Sequence, residues 1–332
     1  MSFVFSRVKI YYFLFFIFLV SIAGFRPIGL DKDSKNYADA LDVRISDASL
    51  LDKEPFFWLI SEASRLFFFG HPASFFLFFA FIGVFLKLVA IFRFSKIPLL
   101  SLILYVFLYF ILHEMTQIRV GVSSAFFLLA IKDYFNKNIL QYLLKVLFAC
   151  MFHYSAVLSL VLPALRRESF SGAYSVFFLC LSFFVGHFLA DGFLNKVVGF
   201  LPGFLGVRLD LYLTMLDSGE SPELNRFNFY YASLLCFSIF FSLHHKKIKD
   251  CFDLFLLKVF NLGVFSFYIL SFFPVLAFRV SEFYLVVQLV LLANLSFVFK
   301  QKEFYVCFVL FFGLLMFVSQ GLMKNINFEV LL

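Results

Sequence analysis

Residues 113–155 read HEMTQIRVGVSSAFFLLAIKDYFNKNILQYLLKVLFACMFHYS. Almost wholly apolar, this stretch carries Gln117, Arg119 and His153 at depths where water is scarce. An ionisable side chain inside a membrane segment is costly, so its presence marks a candidate functional segment. The surrounding chain has the same character: of 332 residues, 63% are hydrophobic, 22% aromatic and 15% charged. Soluble domains run at about 45–50% apolar and about 25% charged. The expected fold class is therefore all-α, a polytopic integral membrane protein with roughly nine to eleven transmembrane helices of about 20 residues. No charged, Pro-rich or Gly/Ser-rich stretch is long enough to link two domains, so residues 1–332 are expected to form a single membrane domain.

Charge placement orients the spans. The formal net charge of +7 does not gather on one polar face. Basic residues sit at the ends of apolar runs, which is the positive-inside pattern and not a nucleic-acid footprint. Arg7 and Lys9 precede the run 10–25, a retained first span with a cytoplasmic N-terminus. The acidic loop 31–54 then lies outside. Residues 55–69 are expected to form an amphipathic surface helix with Pro55 in its first turn, ended by Gly70-His71-Pro72. The run 75–92 crosses inward, with Lys87 expected to snorkel towards the inner interface. Residues 98–112 return outward, 113–117 make a tight turn, and 118–131 cross inward, leaving Gln117 and Arg119 near the outer interface.

The run 139–165 is long for one crossing, and a single span would place Arg166 and Arg167 outside. A break at His153-Tyr154-Ser155, returning as a re-entrant hairpin, puts every basic cluster inside. Polar backbone at such a break is tolerated only where it lines a cavity or packs on protein. Further spans are expected at 173–190, 229–243, 254–273, 280–299 and 305–322, with the C-terminus outside. The larger outer loops are then about 30–72 and 191–227. Cys150, Cys180, Cys236, Cys251 and Cys307 lie in apolar runs or beside a basic stretch, so no disulfide is expected, and they lack metal-ligand spacing.

The polar groups collect on the outer side. Arg119 and Arg279 stand at span ends, where a guanidinium suits a pyrophosphate because it offers paired donors and stays charged when partly buried. The blander reading is interfacial snorkelling, or for Arg279 an ion pair with Glu282 one turn away. Gln117, Gly121 and Ser124 share a helical face, which in membranes often means only close packing. His153, at the expected break, is a candidate general base or sugar-hydroxyl partner, although a lone histidine in an apolar run is more often structural. Asp31 and Glu54 bracket the first outer loop and are candidate bases, against the usual fate of loop carboxylates, which is solvation. Arg208 and Arg226 belong to the second outer loop. No Walker loop, dinucleotide fingerprint, zinc motif or nucleophile elbow is present. An enzyme with an outer-face site and no nucleotide-binding fold is expected to use a lipid-linked donor.

Gly29-x-Asp31 with Tyr37, Glu54-Pro55-Phe56, Gln117-x-Arg119, Phe152-His153-x-Ser155, and the late Arg279 with Glu282 and Tyr284, taken in this order, resemble the EpsG-like family. These are bacterial Wzy-type polymerases of O-antigen, capsule and exopolysaccharide assembly. The likeness runs from about Leu30 to Tyr284. It departs from the family pattern after Arg119, where Val120-Gly121-Val122 replaces a small-residue run.

The resemblance implies en bloc transfer of a glycan from undecaprenyl pyrophosphate to the next lipid-linked repeat unit, at the periplasmic face of the inner membrane. It implies Arg119 and Arg279 as donor-pyrophosphate ligands, His153, Asp31 or Glu54 as the base, and Gln117 and Ser155 as sugar-orienting groups. Tyr37, Glu282, Tyr284, Arg208 and Arg226 join them as substrate-binding candidates. It further implies a Wzx-type flippase and a Wzz-type chain-length regulator as partners, besides membrane lipids; nothing in the residues calls for a cofactor, a metal or a nucleic-acid partner. An O-antigen ligase using the same donor is the nearest alternative. A flippase or transporter would want polar groups along a path through both leaflets, and a structural subunit would make Arg119 and His153 packing features.

Overall fold

An uninterrupted helix spans Ser2–Gly24 (α1), its first turns carrying Arg7 and Lys9 and the remainder, from Ile10, almost wholly apolar. The computed structural model describes residues 2–42, 53–165, 169–188 and 224–331, and these are helical apart from turns and one isolated bridge between Asp31 and Ile326. Tyr11, Phe13 and Phe18 of α1 stand exposed while Leu19 and Ala23 are buried. In water such an aromatic surface would drive association; against lipid it is a stable boundary. Four described helices are long and apolar enough to cross a bilayer: Pro72–Phe94, Pro98–Thr116, Cys251–Ile269 and Lys302–Asn325. Shorter apolar helices accompany them, and the protein is an all-α, multi-pass membrane protein.

The described chain divides into two compact units, one formed by residues 1–165 and 288–332, the other by 166–287. In the first, α2 (Ser34–Asp42) follows Asp31, and α3 (Pro55–Phe68) starts with Pro55 in its first turn. Proline fits there because that N–H has no helical partner and its φ is already helical. Phe69 and Gly70 end α3 with positive φ, 55° and 73°. His71 then caps α4 (Pro72–Phe94), its ring accepting from Ala73 N at 3.2 Å.

The next helix, α5 (Pro98–Tyr105), widens into π-helical turns over Val106–Thr116 and stops at Gln117. The expected tight turn over 113–117 is therefore helical as far as Thr116, and only Gln117 (φ −99°, ψ 57°) departs. Helix α6 (Ile118–Phe135) turns back so closely that a Cβ at Gly121 would collide with the His113 carbonyl. Gly121 thus meets the packing demand that the neighbouring valines could not. Ser124, one turn on, bonds His113 Nδ1 at 3.2 Å, so this face of α6 serves the helix contact.

Helix α7 (Ile139–Phe152) ends where His153 goes extended (φ −157°, ψ 122°), and a 3-10 helix follows over Tyr154–Ala164. Tyr142 Oη donates to Ser159 O at 2.8 Å. In one straight helix those residues would lie about 25 Å apart, so the chain doubles back at His153.

The C-terminal segment rejoins this unit. Asn294 accepts from Lys96 N (2.7 Å) and donates to Phe94 O (3.0 Å), fastening the turn between α4 and α5. The last long helix, Lys302–Met316, continues in π-helical turns over Phe317–Leu322.

The second unit holds helices Gly172–Phe188, Phe229–Leu243, Cys251–Ile269 and Pro274–Leu285. Tyr231 stacks on Phe267 at 3.4 Å, and a Cβ on Gly186 would strike the Tyr268 carbonyl, so glycine and flat rings bring these helices together. The single crossing expected over 280–299 is not one helix. It starts earlier, at Pro274, and stops at Leu285, and a new helix runs from Gln288 to Asn294. Pro274 at the first helical position sets that earlier start.

Candidate functional site

Glu54 is the N-cap of α3, with extended backbone (φ −69°, ψ 151°) and its carbonyl accepting from Phe57 N at 3.0 Å. Its carboxylate joins segments far apart in sequence. His153 Nδ1 lies 2.6 Å from Oε1, and Arg119 Nη1 donates to Oε2. Each partner stands where a helix is interrupted: Arg119 in the first turn of α6, His153 in the extended break after α7. At such helix ends the backbone groups lack intrahelical partners, which leaves room for polar side chains to gather.

Aromatic packing fixes the arrangement. Phe56, two residues after Glu54, lies 4.7 Å from Phe152 and 6.0 Å from Phe148 between ring centroids. Tyr154 Oη donates to Lys53 O at 3.3 Å, tying the opposite side of the break to the start of α3. Under Arg119 lie Tyr37 and Phe57, their ring centroids 5.8 and 5.7 Å from the guanidinium carbon. Those faces favour a cation in a region otherwise hostile to charge.

The Glu54 side chain is 4% exposed, whereas His153 keeps 15% and Arg119 23%. The anion is enclosed and the imidazole and guanidinium remain reachable. Burial pushes the Glu54 carboxyl up, but the His153 hydrogen bond and the Arg119 and His153 charges outweigh it and bring it down to about 2. A carboxylate so stabilised is a weak proton acceptor and a firm anchor. Arg119 also keeps one buried donor, Nε, without an acceptor.

The other sequence candidates fall in different places. Tyr37 is buried beneath Arg119; Gln117 and Ser155 are partly exposed in the two breaks. Asp31 is engaged elsewhere: it accepts from Arg26 Nε (2.7 Å) and from the backbone N–H groups of Asp33 (3.1 Å) and Ser34 (3.0 Å), organising the start of α2. Arg226 is partly exposed just before the helix Phe229–Leu243, and Arg208 lies outside the described residues. Arg279, Glu282 and Tyr284 belong to the second unit, exposed, half-buried and buried in turn. Arg279 makes no ion pair among the described residues, so the local pairing with Glu282 is not formed. Among the described residues no three His, Cys, Asp or Glu side chains converge as a metal ligand set.

Lys87 corrects the snorkelling expectation. It is fully buried on α4 and donates to Glu114 Oε1 at 2.5 Å and to Gly121 O at 2.8 Å. Tyr105 Oη donates to the same carboxylate oxygen at 2.9 Å. A buried opposite charge outcompetes a stretched path to water. The sequence signal was a lone lysine and a lone glutamate within neighbouring apolar runs.

Against known families, the sequence model described as the EpsG family matches residues 9–329. Neither the curated proteins nor the solved structures give a match.

Proposed function

Since the chain belongs to the EpsG family, we propose that it is a membrane glycosyltransferase that polymerises undecaprenyl-pyrophosphate-linked oligosaccharide repeat units. The observation that carries this reading is the Glu54 carboxylate bonded at once to His153 Nδ1 and Arg119. With Nδ1–H donated to an ionised carboxylate, His153 presents the Nε2 lone pair outward, the form a general base needs. Arg119, partly exposed over aromatic faces, binds the donor diphosphate and stabilises charge developing on it as the glycosyl bond breaks. The acceptor hydroxyl oxygen attacks the anomeric carbon, its proton passes to His153 Nε2, and undecaprenyl diphosphate leaves. Glu54 orients both groups and takes no proton itself, as the buried acid of a catalytic triad does. Gln117 and Ser155, in the same two breaks, orient sugars, and Arg279, in the second unit, is a separate diphosphate-ligand candidate to be assayed on its own.

In this reading the N-terminus is cytoplasmic, and the C-terminus and the site face the periplasm of a bacterial inner membrane. A Wzx-type flippase supplies the substrate and a Wzz-type regulator sets chain length. The test is the surface-glycan ladder of a strain lacking the gene, complemented with wild type, Arg119→Ala or His153→Ala. Single repeat units on the lipid core in the null and in both expressed variants support polymerisation. No glycan on the core, with long polymer retained on undecaprenyl pyrophosphate, would make the protein a ligase.

A further inference from the structure

Two buried cations grip the turn that carries Arg119. On its leading side, Arg26 Nη2 donates to Met115 O at 2.6 Å. That carbonyl lies in the last turn before Gln117, where helix ends leave acceptors without partners. On its trailing side, Lys87 Nζ donates to Gly121 O at 2.8 Å, two residues beyond Arg119. Each cation carries its own counter-ion: Asp31 for Arg26 (2.7 Å) and Glu114 for Lys87 (2.5 Å). All four side chains are at most 1% exposed. Arg26 also lies 3.8 Å over the Phe76 ring and bonds Ala23 O, so it cannot swing away. Gly83 leaves the space that Glu114 occupies, since a Cβ there would collide with its carboxylate.

We propose that Lys87 and Arg26 are positioning residues that hold the Met115–Gly121 turn, and through it the Arg119 guanidinium, in the geometry that binds the donor diphosphate. The proposal rests on the reading of Arg119 as a diphosphate ligand. Buried ion pairs are a costly way to stabilise a fold, and apolar residues of similar volume often serve as well. Here each cation reaches past its counter-ion to a main-chain carbonyl on one side of a single break. Their remaining N–H donors need acceptors once buried, and both cations place one on this turn.

The experiment uses full-length protein in nanodiscs and two readouts. Hydrogen exchange of the peptide spanning 115–125 reports the turn without any ligand. The affinity for added undecaprenyl diphosphate reports its use. The variant Lys87→Met/Glu114→Gln removes both charges together, so no lone buried ion remains, and Arg26→Lys probes the other grip by keeping the charge and losing the fork. The expected result is faster exchange at 115–125, unchanged protection of α7, and undecaprenyl diphosphate bound about tenfold more weakly or worse. Adding Arg119→Ala to Lys87→Met/Glu114→Gln should cost no more than Arg119→Ala alone, because the two act through one group. Wild-type exchange at 115–125 in both folded variants overturns the clamp, as does affinity loss that multiplies with that of Arg119→Ala. If one variant fails to fold, the other decides. If wild type itself does not bind undecaprenyl diphosphate, the donor assignment fails, while the exchange data still decide whether the cations hold the turn.

Discussion

Glu54→Gln tests the site most directly, because it keeps the shape and removes the charge. Bringing a carboxyl from 4.5 down to about 2 corresponds to about 3 kcal/mol of preference for the ionised form in its native surroundings. Glutamine forfeits that preference. Its amide can still face His153 Nδ1 with either oxygen or nitrogen, so the imidazole is no longer held in the tautomer that leaves Nε2 unprotonated. Loss of an oriented general base lowers the turnover number by about 10²–10⁴-fold. The donor KM should move much less, since Arg119 remains. The assay is polymer formation from purified lipid-linked repeat units by protein reconstituted in vesicles.

Fold integrity can be read from intrinsic fluorescence. Trp58, the chain's one tryptophan, is buried on α3 with its ring 5.7 Å from Phe57, which in turn lies under Arg119. Wild-type emission with the turnover loss is the expected outcome. A folded Glu54→Gln enzyme within about threefold of wild type would refute the Glu54–His153 pairing as catalytic. The sign of the pH effect follows from the depressed carboxyl. Its stabilising contribution is complete above its ordinary value of 4.5 and is lost as pH falls through about 2. Any ionisation seen in the rate between about pH 5 and 8 therefore belongs to a group other than Glu54.

Arg119→Lys should keep the ion pair with Glu54 but lose the planar fork, raising the donor KM about tenfold or more while lowering the turnover number less; steady-state kinetics with varied donor checks this. Gly121→Ala should destabilise the protein by about 1–3 kcal/mol, because the added methyl meets the His113 carbonyl, a backbone atom that cannot rotate aside. A lower melting temperature in detergent and a lower yield would report it. Phe56→Ala removes the ring that packs on Phe148 and Phe152 and should cost about 3 kcal/mol of stability, with accelerated hydrogen exchange at the start of α3.

Much of this arrangement was legible because membrane sequences say where polar groups are unwelcome. Glu54, Arg119 and His153 drew attention one by one as charges beside apolar runs, and the doubling back at His153 followed from where basic residues must lie. What the sequence did not show was that one carboxylate joins the other two, since they stand 65 and 99 residues from it along the chain. The π-helical turns over Val106–Thr116 were invisible for another reason. A uniformly apolar run has no periodicity from which to read its winding. Lys87 looked like a flank residue because hydropathy counts a charge and does not see Glu114, which lies 27 residues further on. Asp31 stood out as a candidate base, and nothing in the sequence marked Arg26, five residues before it and just past α1, as its partner.

The charges of the first unit separate into two kinds, and burial alone does not distinguish them. Lys87 with Glu114 and Arg26 with Asp31 are closed: each cation has a carboxylate and a main-chain carbonyl, and neither is open to solvent. Glu54 is equally enclosed, but its two partners are not, and Arg119 retains a donor without an acceptor. A closed pair is neutral as a unit and offers a substrate nothing. An enclosed anion that orients two reachable cationic or basic groups offers both a diphosphate ligand and a base, at a geometry already set before substrate arrives. Pre-set geometry is worth most where charge develops in the transition state. The cost of sequestering four further charges in the same unit is understandable on that basis, because they hold the turn from which Arg119 projects.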